Sequence, residues 1–212
     1  MIKYVFFDFN GTIINDVILC LDLLNEILRK QGNKELDIDT YKNVFKFPIK
    51  QYYIDAGVDL ERDSFEDLAI WFIDKYQPLS MSCGLYDGIV DTFIKLKEKG
   101  YKLVILSASE RNNLIEQCKN YSIDQYFEEI LGIDNIHAAS KVEIAKNYLN
   151  DNEICGEDVL FIGDTLHDLE VAKAIGAKCI LVSCGHQSVD VLSKGNVPII
   201  SDINGLMEIL WL

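Results

Sequence analysis

The spacing of apolar residues along the chain changes twice. An apolar run at residues 3–7 is followed by Asp8, which is typical of a strand buried on both faces of a sheet. In the block that follows, the apolar positions recur every three to four residues, as on one face of a helix. From residue 101 onward, short apolar runs alternate with helical patterns. The pattern predicts an α/β fold in which a block of helices interrupts the sheet after its first strand.

The predicted elements follow this division. Before the second strand, helices are expected at residues 16–31, 39–55 with a break near Pro48, 64–76 with an end at Pro78, and 87–99. Further along, strands are expected at residues 103–106, 130–132, 159–162, 179–182 and 197–200, and helices at 110–120, 141–149 and 168–175. Alternating strands and helices pair in parallel through right-handed crossovers. We therefore expect a Rossmann-like parallel sheet flanked by helices, with an inserted α-helical cap.

Two separate segments of the chain are expected to build the sheet. Residues 1–15 and 84–212 form the predicted α/β core, and residues 16–83 form the predicted helical cap. An insertion directly after the first strand lies over the carboxyl ends of the strands, where open α/β sheets bind ligands. The cap is therefore expected to act as a lid, with hinges at residues 15–16 and 84–87.

Composition and charge narrow the range of partners. The 212 residues are 49% hydrophobic, which suits one domain with an insertion, and the formal net charge is -14. Such an acidic chain repels nucleic acid and anionic membranes, so neither is an expected partner. It also repels a phosphorylated substrate, so a phosphate site needs local positive charge from a metal, a lysine or a helix N-terminus.

Other features of the chain suggest the cytoplasm. No apolar run reaches the ~18 residues of a membrane span, and the first residues lack the pattern of a signal peptide. The six cysteines form no CxxC pair and lie in apolar or helical segments, so buried and reduced thiols are expected. We expect a cytoplasmic monomer, with a dimer as the alternative.

Three carboxylates follow predicted strands or lie in the turn beyond them. Asp8 follows the first strand, Asp164 follows the strand at residues 159–162, and Asp168 lies four residues later. Because the carboxyl ends of parallel strands point to the same edge of the sheet, these side chains are expected to meet. Three adjacent carboxylates cannot all stay ionised without a cation, and Mg2+ prefers carboxylate, water and phosphate oxygens. The sequence therefore predicts a Mg2+ site.

Four motifs in this order resemble those of the haloacid dehalogenase (HAD) superfamily. Residues 8–12 (DFNGT) resemble its first motif, residues 103–107 (LVILS) its second, Lys141 its third, and residues 163–168 (GDTLHD) its fourth. The first and fourth motifs are specific, whereas the second and third would be weak alone. The helical insertion after the first motif is placed like the C1-type cap of the phosphoglycolate phosphatase-like branch.

The resemblance implies a hydrolase that forms an aspartyl-phosphate. Asp8 would attack phosphorus as a carboxylate nucleophile, and water would later hydrolyse the acyl phosphate. The implied Mg2+ ligands are Asp8, the backbone carbonyl of Asn10, Asp164 and Asp168. The implied catalytic residues are Asp8, Asn10, Ser107 and Lys141.

The resemblance also implies the contacts to phosphate and substrate. Ser107 would donate a hydrogen bond to a phosphoryl oxygen, and Lys141 would place a compact positive charge beside it. Backbone N–H groups of residues 9–11 would complete the cradle, with Gly11 allowing close approach. The full expected set is Phe9, Gly11, Thr12, Ser107, Ala108, Lys141, Lys46, Lys50 and His167.

Asn10 departs from the family pattern. Phosphatases of the family carry an aspartate at this position, which protonates the leaving oxygen, whereas an amide cannot exchange a proton at neutral pH. General acid–base help is worth ~10²–10⁴-fold in rate. Four interpretations stay open: a substrate with a good leaving group, another acid and base such as His167, a phosphate-ligand sensor or scaffold with little turnover, or deamidation of Asn10 to aspartate. The function favoured across these interpretations is a working but slow phosphatase.

The cap contains a basic and aromatic segment that is expected to meet the leaving group. Residues 45–53 read FKFPIKQYY, in which Pro48 would disturb a helix and present Lys46 or Lys50 to the cleft. Phosphonate cleavage would use such a cap lysine to form a Schiff base, so a phosphonate hydrolase is a less favoured alternative. In the loop at residues 183–188, His186 is expected either to contact ligand or to form part of a turn.

Overall fold

The computed structural model describes residues 1–133 and 140–207. Within these ranges the strands form one six-stranded sheet in the order β3-β2-β1-β4-β5-β6, and all neighbouring strands are parallel. The strands are β1 Tyr4–Phe7, β2 Lys102–Glu110, β3 Glu129–Ile133, β4 Val159–Gly163, β5 Lys178–Val182 and β6 Ile199–Ile200. The predicted parallel sheet is confirmed, and β1 lies near its centre.

Helices cover both faces of this sheet. The described α-helices are α1 Val17–Gln31, α2 Ile38–Val44, α3 Ile49–Asp55, α4 Phe65–Ser80, α5 Ile89–Glu98, α6 Arg111–Asn120, α7 Lys141–Asp151, α8 Leu166–Ala174 and α9 Val189–Leu192. Val5 and Phe7 of β1 pack in one apolar core with α5 and α6, whereas Phe6 packs in a second core with α7 and α8. Because both faces of β1 are buried, its sequence is a continuous apolar run.

The strand order reverses beside β1. Strands β2 and β3 lie on one side of β1, and β4 pairs with its other side. A crevice forms at such a switch point, beyond the carboxyl ends of the strands. The Asp8 N–H donates to the Ile162 carbonyl (2.8 Å), so the residues that follow β1 and β4 lie side by side in this crevice.

Helices α1 to α4 share a separate apolar core that includes Leu24 and Leu28. The two connections between these helices and the sheet run alongside each other, because the Asn15 N–H donates to the Gly84 carbonyl (3.1 Å). The cap boundaries at residues 15/16 and 83/84 stay a prediction. Residues 134–139 and 208–212 of the predicted core lie outside the described residues.

Helix α4 is longer than the sequence predicts. The helix begins after Ser64, whose hydroxyl accepts the Asp67 N–H (3.1 Å), and it continues through Pro78 to Ser80. The predicted end at Pro78 is wrong, because a proline in the last turn removes only one backbone donor while its φ still suits a helix. The Ser80 hydroxyl donates to the Gln77 carbonyl (2.8 Å) within this added turn.

The prediction for the cysteines is confirmed only in part. All six are free thiols, and Cys118 and Cys179 are buried. Cys155 is exposed, because it lies in the short polar connection between α7 and β4. Among the described residues, no helix has the length and apolar character needed to cross a membrane.

Candidate active site

Three carboxylates meet at the carboxyl edge of the sheet. Asp8 is the first residue after β1, Asp164 is the first after β4, and Asp168 lies in the first turn of α8. Their carboxylate oxygens lie within 4.8 Å of one another, and all three residues are buried. The structure therefore brings together the three acids that the sequence places at strand ends.

Lys141 is the first residue of α7 and lies between two of these carboxylates. Its Nζ is 2.6 Å from Asp8 Oδ1 and 2.6 Å from Asp168 Oδ1. Ser140 forms a capping box with Glu143, which fixes the start of α7 at the lysine. Burial would lower the pKa of Lys141, but the charges of Asp168 and Asp8 outweigh burial and raise the pKa. The ammonium therefore stays charged.

The three carboxyl groups differ in their tendency to ionise. Burial raises the pKa of Asp8 to about 8, although Lys141 opposes this shift. Burial also raises the pKa of Asp164 to about 6, against the charge of His186. For Asp168, burial would raise the pKa, but the charge of Lys141 and its hydrogen bond lower it. A divalent cation beside these buried carboxyl groups would stabilise their ionised form. The donor atoms are all oxygens, which fits Mg2+.

The turn before α8 holds the Asp168 side chain. Asp168 Oδ2 accepts hydrogen bonds from the Thr165 N–H (3.0 Å), the Thr165 hydroxyl (2.8 Å) and the Asp164 N–H (3.2 Å). Thr165 is the N-cap of α8, so the helix begins at Leu166 and not at residue 168 as predicted. With its other oxygen on Lys141, Asp168 orients the lysine as well as contributing to the acidic cluster.

Gly11 and Thr12 contact protein groups that the sequence did not indicate. The Thr12 hydroxyl donates to Asp164 Oδ1 (3.1 Å). Gly11 has a φ of +70°, and a Cβ there would overlap the Asp164 carboxylate, so the position requires glycine. The Gly11 N–H, expected in the phosphate cradle, donates instead to Asp16 Oδ1 (2.9 Å). This contact forms because the residue before α1 folds back onto the turn after β1, and the phosphate-cradle role of the Gly11 N–H stays a prediction.

Four hydrogen bonds hold the Asn10 side chain. Its Nδ2 donates to Asp16 Oδ2 (3.0 Å) and to the Tyr76 hydroxyl oxygen (2.6 Å). Its Oδ1 accepts from the hydroxyls of Ser109 (3.0 Å) and Ser107 (3.4 Å). The amide therefore joins the turn after β1 to helix α4 and to the end of β2.

A second buried polar network lies beside the carboxylate cluster. His186 Nε2 lies 3.3 Å from Asp16 Oδ1, and His186 Nδ1 is 2.7 Å from the Tyr41 hydroxyl. The Tyr76 hydroxyl donates to Asp16 Oδ2 (2.6 Å). Burial would lower the pKa of His186, but Asp16 outweighs burial and raises it. His186 is therefore held beside Asp16, between the loop after β5 and the helices of residues 17–80.

Sequence reasoning missed several members of these networks. Asp16, Tyr41, Tyr76 and Ser109 were not among the predicted site residues. Asp16 directly precedes α1, so its position could have drawn attention to it as a helix cap. Its side chain, however, makes no cap hydrogen bond to that helix. The two tyrosines gave no signal, because their contacts depend on how α2 and α4 pack over the sheet.

A cavity of about 360 Å³ lies between the carboxylate cluster and the helices above it. Its sheet side is lined by site residues that include Asp8, Asn10, Ser107, Ala108, Lys141, His167 and Asp168. Its opposite side is lined by Phe45, Phe47, Ile49, Tyr52, Tyr53, Phe65, Ala69, Phe72, Ile73 and Tyr76. The Phe9 side chain lies in an apolar core of the sheet, and the role expected of its backbone N–H in the phosphate cradle stays a prediction.

The two cap lysines lie away from this cavity. Lys46 forms an ion pair with Asp55, and the Lys50 Nζ lies 5.8 Å from the centre of the Phe65 ring. Neither residue is part of the cavity lining. Lys46 precedes α3 and pairs with Asp55, the last residue of that helix, so the expectation that the two lysines meet the substrate stays a prediction. The aromatic residues of the same segment line the cavity in their place.

The parallel sheet, its switch point at β1 and the lysine-bridged carboxylates define a HAD-type α/β hydrolase. The chain belongs to the haloacid dehalogenase-like hydrolase family, whose sequence model matches residues 5–182. This membership confirms the resemblance seen in the four sequence motifs.

Individual relatives agree with this assignment over most of the chain. The chain is 21% identical to a phosphoglycolate phosphatase of Aliivibrio fischeri, with 95% of this chain and 92% of the relative covered. It is 24% identical to a 5'-nucleotidase of Pseudomonas aeruginosa, with 89% and 86% covered. A haloacid dehalogenase-like hydrolase from Streptococcus pneumoniae superposes with a TM-score of 0.83 at 19% identity, covering 99% of this chain and 98% of that one. The last comparison supports the fold alone.

Proposed function

We propose that this protein is a Mg2+-dependent phosphatase that hydrolyses a small phosphorylated metabolite through an aspartyl-phosphate on Asp8. The main supporting observation is that Asp8 lines the cavity while its carboxylate lies 2.6 Å from the charged Lys141. Membership of a hydrolase family, and relatives named phosphoglycolate phosphatase and 5'-nucleotidase, agree with phosphoester chemistry.

The proposed reaction has two displacements at phosphorus. In the first, an Asp8 oxygen bonds to phosphorus, the ester P–O bond breaks, and the leaving oxygen takes up a proton from water to become an alcohol. In the second, water attacks phosphorus, the bond between phosphorus and Asp8 breaks, and inorganic phosphate leaves. Asp8 returns to a carboxylate, so the protein is unchanged after each cycle.

The other site residues have supporting roles in this proposal. Lys141 faces a phosphoryl oxygen, and Asp168 holds its ammonium in place. Ser107 donates from the cavity wall to a second phosphoryl oxygen. The groups that would hold Mg2+ are the carboxylates of Asp8, Asp164 and Asp168 and the backbone carbonyl of Asn10. When bound, the ion would offset the charge of the phosphoryl group and favour ionised Asp8.

Asn10 is expected to lower the rate of the reaction. Its two N–H groups donate to Asp16 and Tyr76, and an amide has no proton to exchange at neutral pH. The leaving oxygen therefore lacks a family-type proton donor, which costs ~10²–10⁴-fold for esters with poor leaving groups. His167 lines the cavity, with its ring stacked on Phe47 at 4.4 Å between centroids, and it stays the candidate replacement.

A phosphate-release assay on a panel of phosphoesters, with and without Mg2+, tests the proposal. Release is expected with Mg2+, and it should be lost with a chelator and in Asp8→Asn. Asp91→Asn changes an exposed acid on α5 and should keep full activity. Activity that survives in Asp8→Asn would contradict the nucleophile assignment.

The held amide of Asn10 favours one alternative function, a sensor that binds a phosphate ligand without turnover. In that case the protein would bind phosphoesters in the same Mg2+ buffer and release no phosphate after long incubation. A phosphonate hydrolase is less well supported, because Lys46 and Lys50 lie away from the cavity.

A further inference from the structure

The cavity has two chemically different sides. The acids and Lys141 form the sheet side, whereas aromatic and aliphatic side chains from residues 45–76 form the opposite side. Two of these apolar side chains are well exposed in the protein alone: Ile73 is 52% exposed and Phe47 is 36% exposed. Apolar surface that is left open around a polar site marks a place where an apolar ligand group binds.

The positive charges around the cavity already have partners in the protein. Among the described residues of its lining, Lys141 pairs with Asp8 and Asp168, and His186 pairs with Asp16. The remaining histidine, His167, presents its ring against Phe47. A second anionic group on the substrate would therefore meet apolar side chains and neutral amides such as Asn113 and Gln117, and it would lose its hydration without gaining a cationic partner from the described lining residues.

The size of the cavity limits what fits beside the phosphoryl group. A cavity of roughly 150 Å³ accommodates one benzene molecule. The space of about 360 Å³ therefore holds a phosphoryl group together with one ring or a short hydrocarbon chain. Phe72 and Tyr76 stack on each other with an interplanar angle of 11°, which gives this wall a flat aromatic surface.

From this geometry we infer that the substrate is the phosphate monoester of an aromatic or otherwise apolar alcohol, not one whose alcohol part is itself an anion. The inference rests on the proposed function for the identity of the phosphate end. It separates this chain from the relative named phosphoglycolate phosphatase, because the glycolate part of that substrate carries a carboxylate.

Binding calorimetry on the non-hydrolysing Asp8→Asn variant tests this inference without any need for turnover. The three probes are 2-phenylethyl phosphate, ethyl phosphate and 2-phosphoglycolate, which are all primary alkyl esters, titrated in Mg2+ buffer. Burial of the phenyl ring should make the Kd of the first probe about ten-fold or more lower than that of ethyl phosphate. Phosphoglycolate should bind no tighter than ethyl phosphate.

Substitutions on α4 locate the effect. Ile73 and Ile70 are both exposed on this helix, but only Ile73 lines the cavity. In the Asp8→Asn background, Ile73→Ala should reduce the preference for the phenyl ester about three-fold or more. Ile70→Ala should leave the preference unchanged. Phe72→Ala provides a second and larger truncation of the same wall.

The outcomes separate the inference from the proposed function. Equal or unmeasurable affinities for the three probes, or tighter binding of phosphoglycolate, would overturn the inference. A loss of preference in Ile70→Ala equal to that in Ile73→Ala would also overturn it. Phosphate release by the unmodified protein is measured separately. Its absence, together with the expected order of affinities, would overturn the phosphatase proposal while supporting an apolar phosphate ester as the ligand.

Discussion

At the scale of single residues, Asn10 has a structural role in addition to its chemical one. Its side-chain N–H groups donate to Asp16 and Tyr76, and its side-chain oxygen Oδ1 accepts from the Ser109 hydroxyl. An aspartate at this position would lose both donors and would face the Asp16 carboxylate. The surrounding acceptors and donors are therefore arranged to bind an amide at this position and not a carboxylate.

Asn10→Asp should consequently destabilise the protein. We expect the free energy of unfolding to fall by about 1–3 kcal/mol, because partly buried hydrogen bonds, one of them to a charged partner, are lost and two carboxylates are brought together. Chemical denaturation measures this change. The control is Asn152→Asp, which removes an exposed amide donor to the Tyr148 carbonyl and should cost less than about 0.5 kcal/mol. Equal effects in both variants would contradict the role given to the Asn10 network.

At the scale of elements, the Tyr41–His186–Asp16 network joins α2, the loop after β5 and the residue before α1. Each of these groups is at least 97% buried, and the network crosses between the helical block and the sheet. The helices above the site are therefore fixed to it by polar contacts as well as by packing. Such contacts would have to open or shift if the predicted lid moves.

Tyr41→Phe tests this connection. The substitution keeps the ring but leaves the buried His186 ring nitrogen without its hydroxyl partner, so the free energy of unfolding should fall by about 1–3 kcal/mol. The matched control is Tyr4→Phe, whose hydroxyl has a long contact with Lys102 (3.5 Å) at the surface. Denaturation of both variants gives the comparison, and equal stability of Tyr41→Phe and the unmodified protein would refute the structural role.

Some features of the strands and helices at the site could be predicted from the sequence, and others could not. The strand ends at Asp8 and Asp164 could be predicted, because an apolar run that stops at an acid depends only on local sequence. The contact between Tyr76 and Asp16 could not, because it spans 60 positions and depends on the packing of α4. The ion pair between Lys46 and Asp55 was not predicted either, because it depends on the conformation of the segment before α3.

At the scale of the whole molecule, the proposed metal site is linked to folding stability. The chain carries a formal net charge of -14 and collects three buried carboxylates at one edge of the sheet. A cation that binds only the folded state stabilises it by mass action, by about 2.7 kcal/mol at a concentration 100-fold above its Kd.

Thermal unfolding with and without Mg2+ therefore provides a test independent of activity. We expect Tm to rise with Mg2+ concentration in the unmodified protein and to rise much less in Asp164→Asn. Asp22→Asn, at an exposed position on α1, should respond like the unmodified protein. A Tm that is insensitive to Mg2+, or a rise of the same size in Asp164→Asn, would argue against the metal site.

The most direct test of the account is a rapid-mixing experiment with 4-nitrophenyl phosphate, followed by acid quench and mass analysis of the peptide that contains Asp8. The good leaving group removes the need for a proton in the first displacement, whereas Asn10 cannot activate water for the second. The account predicts a Mg2+-dependent burst of nitrophenol and one phosphoryl group on Asp8, both absent in Asp8→Asn. Steady release of phosphate with no burst and no phosphoryl group on Asp8 would contradict it.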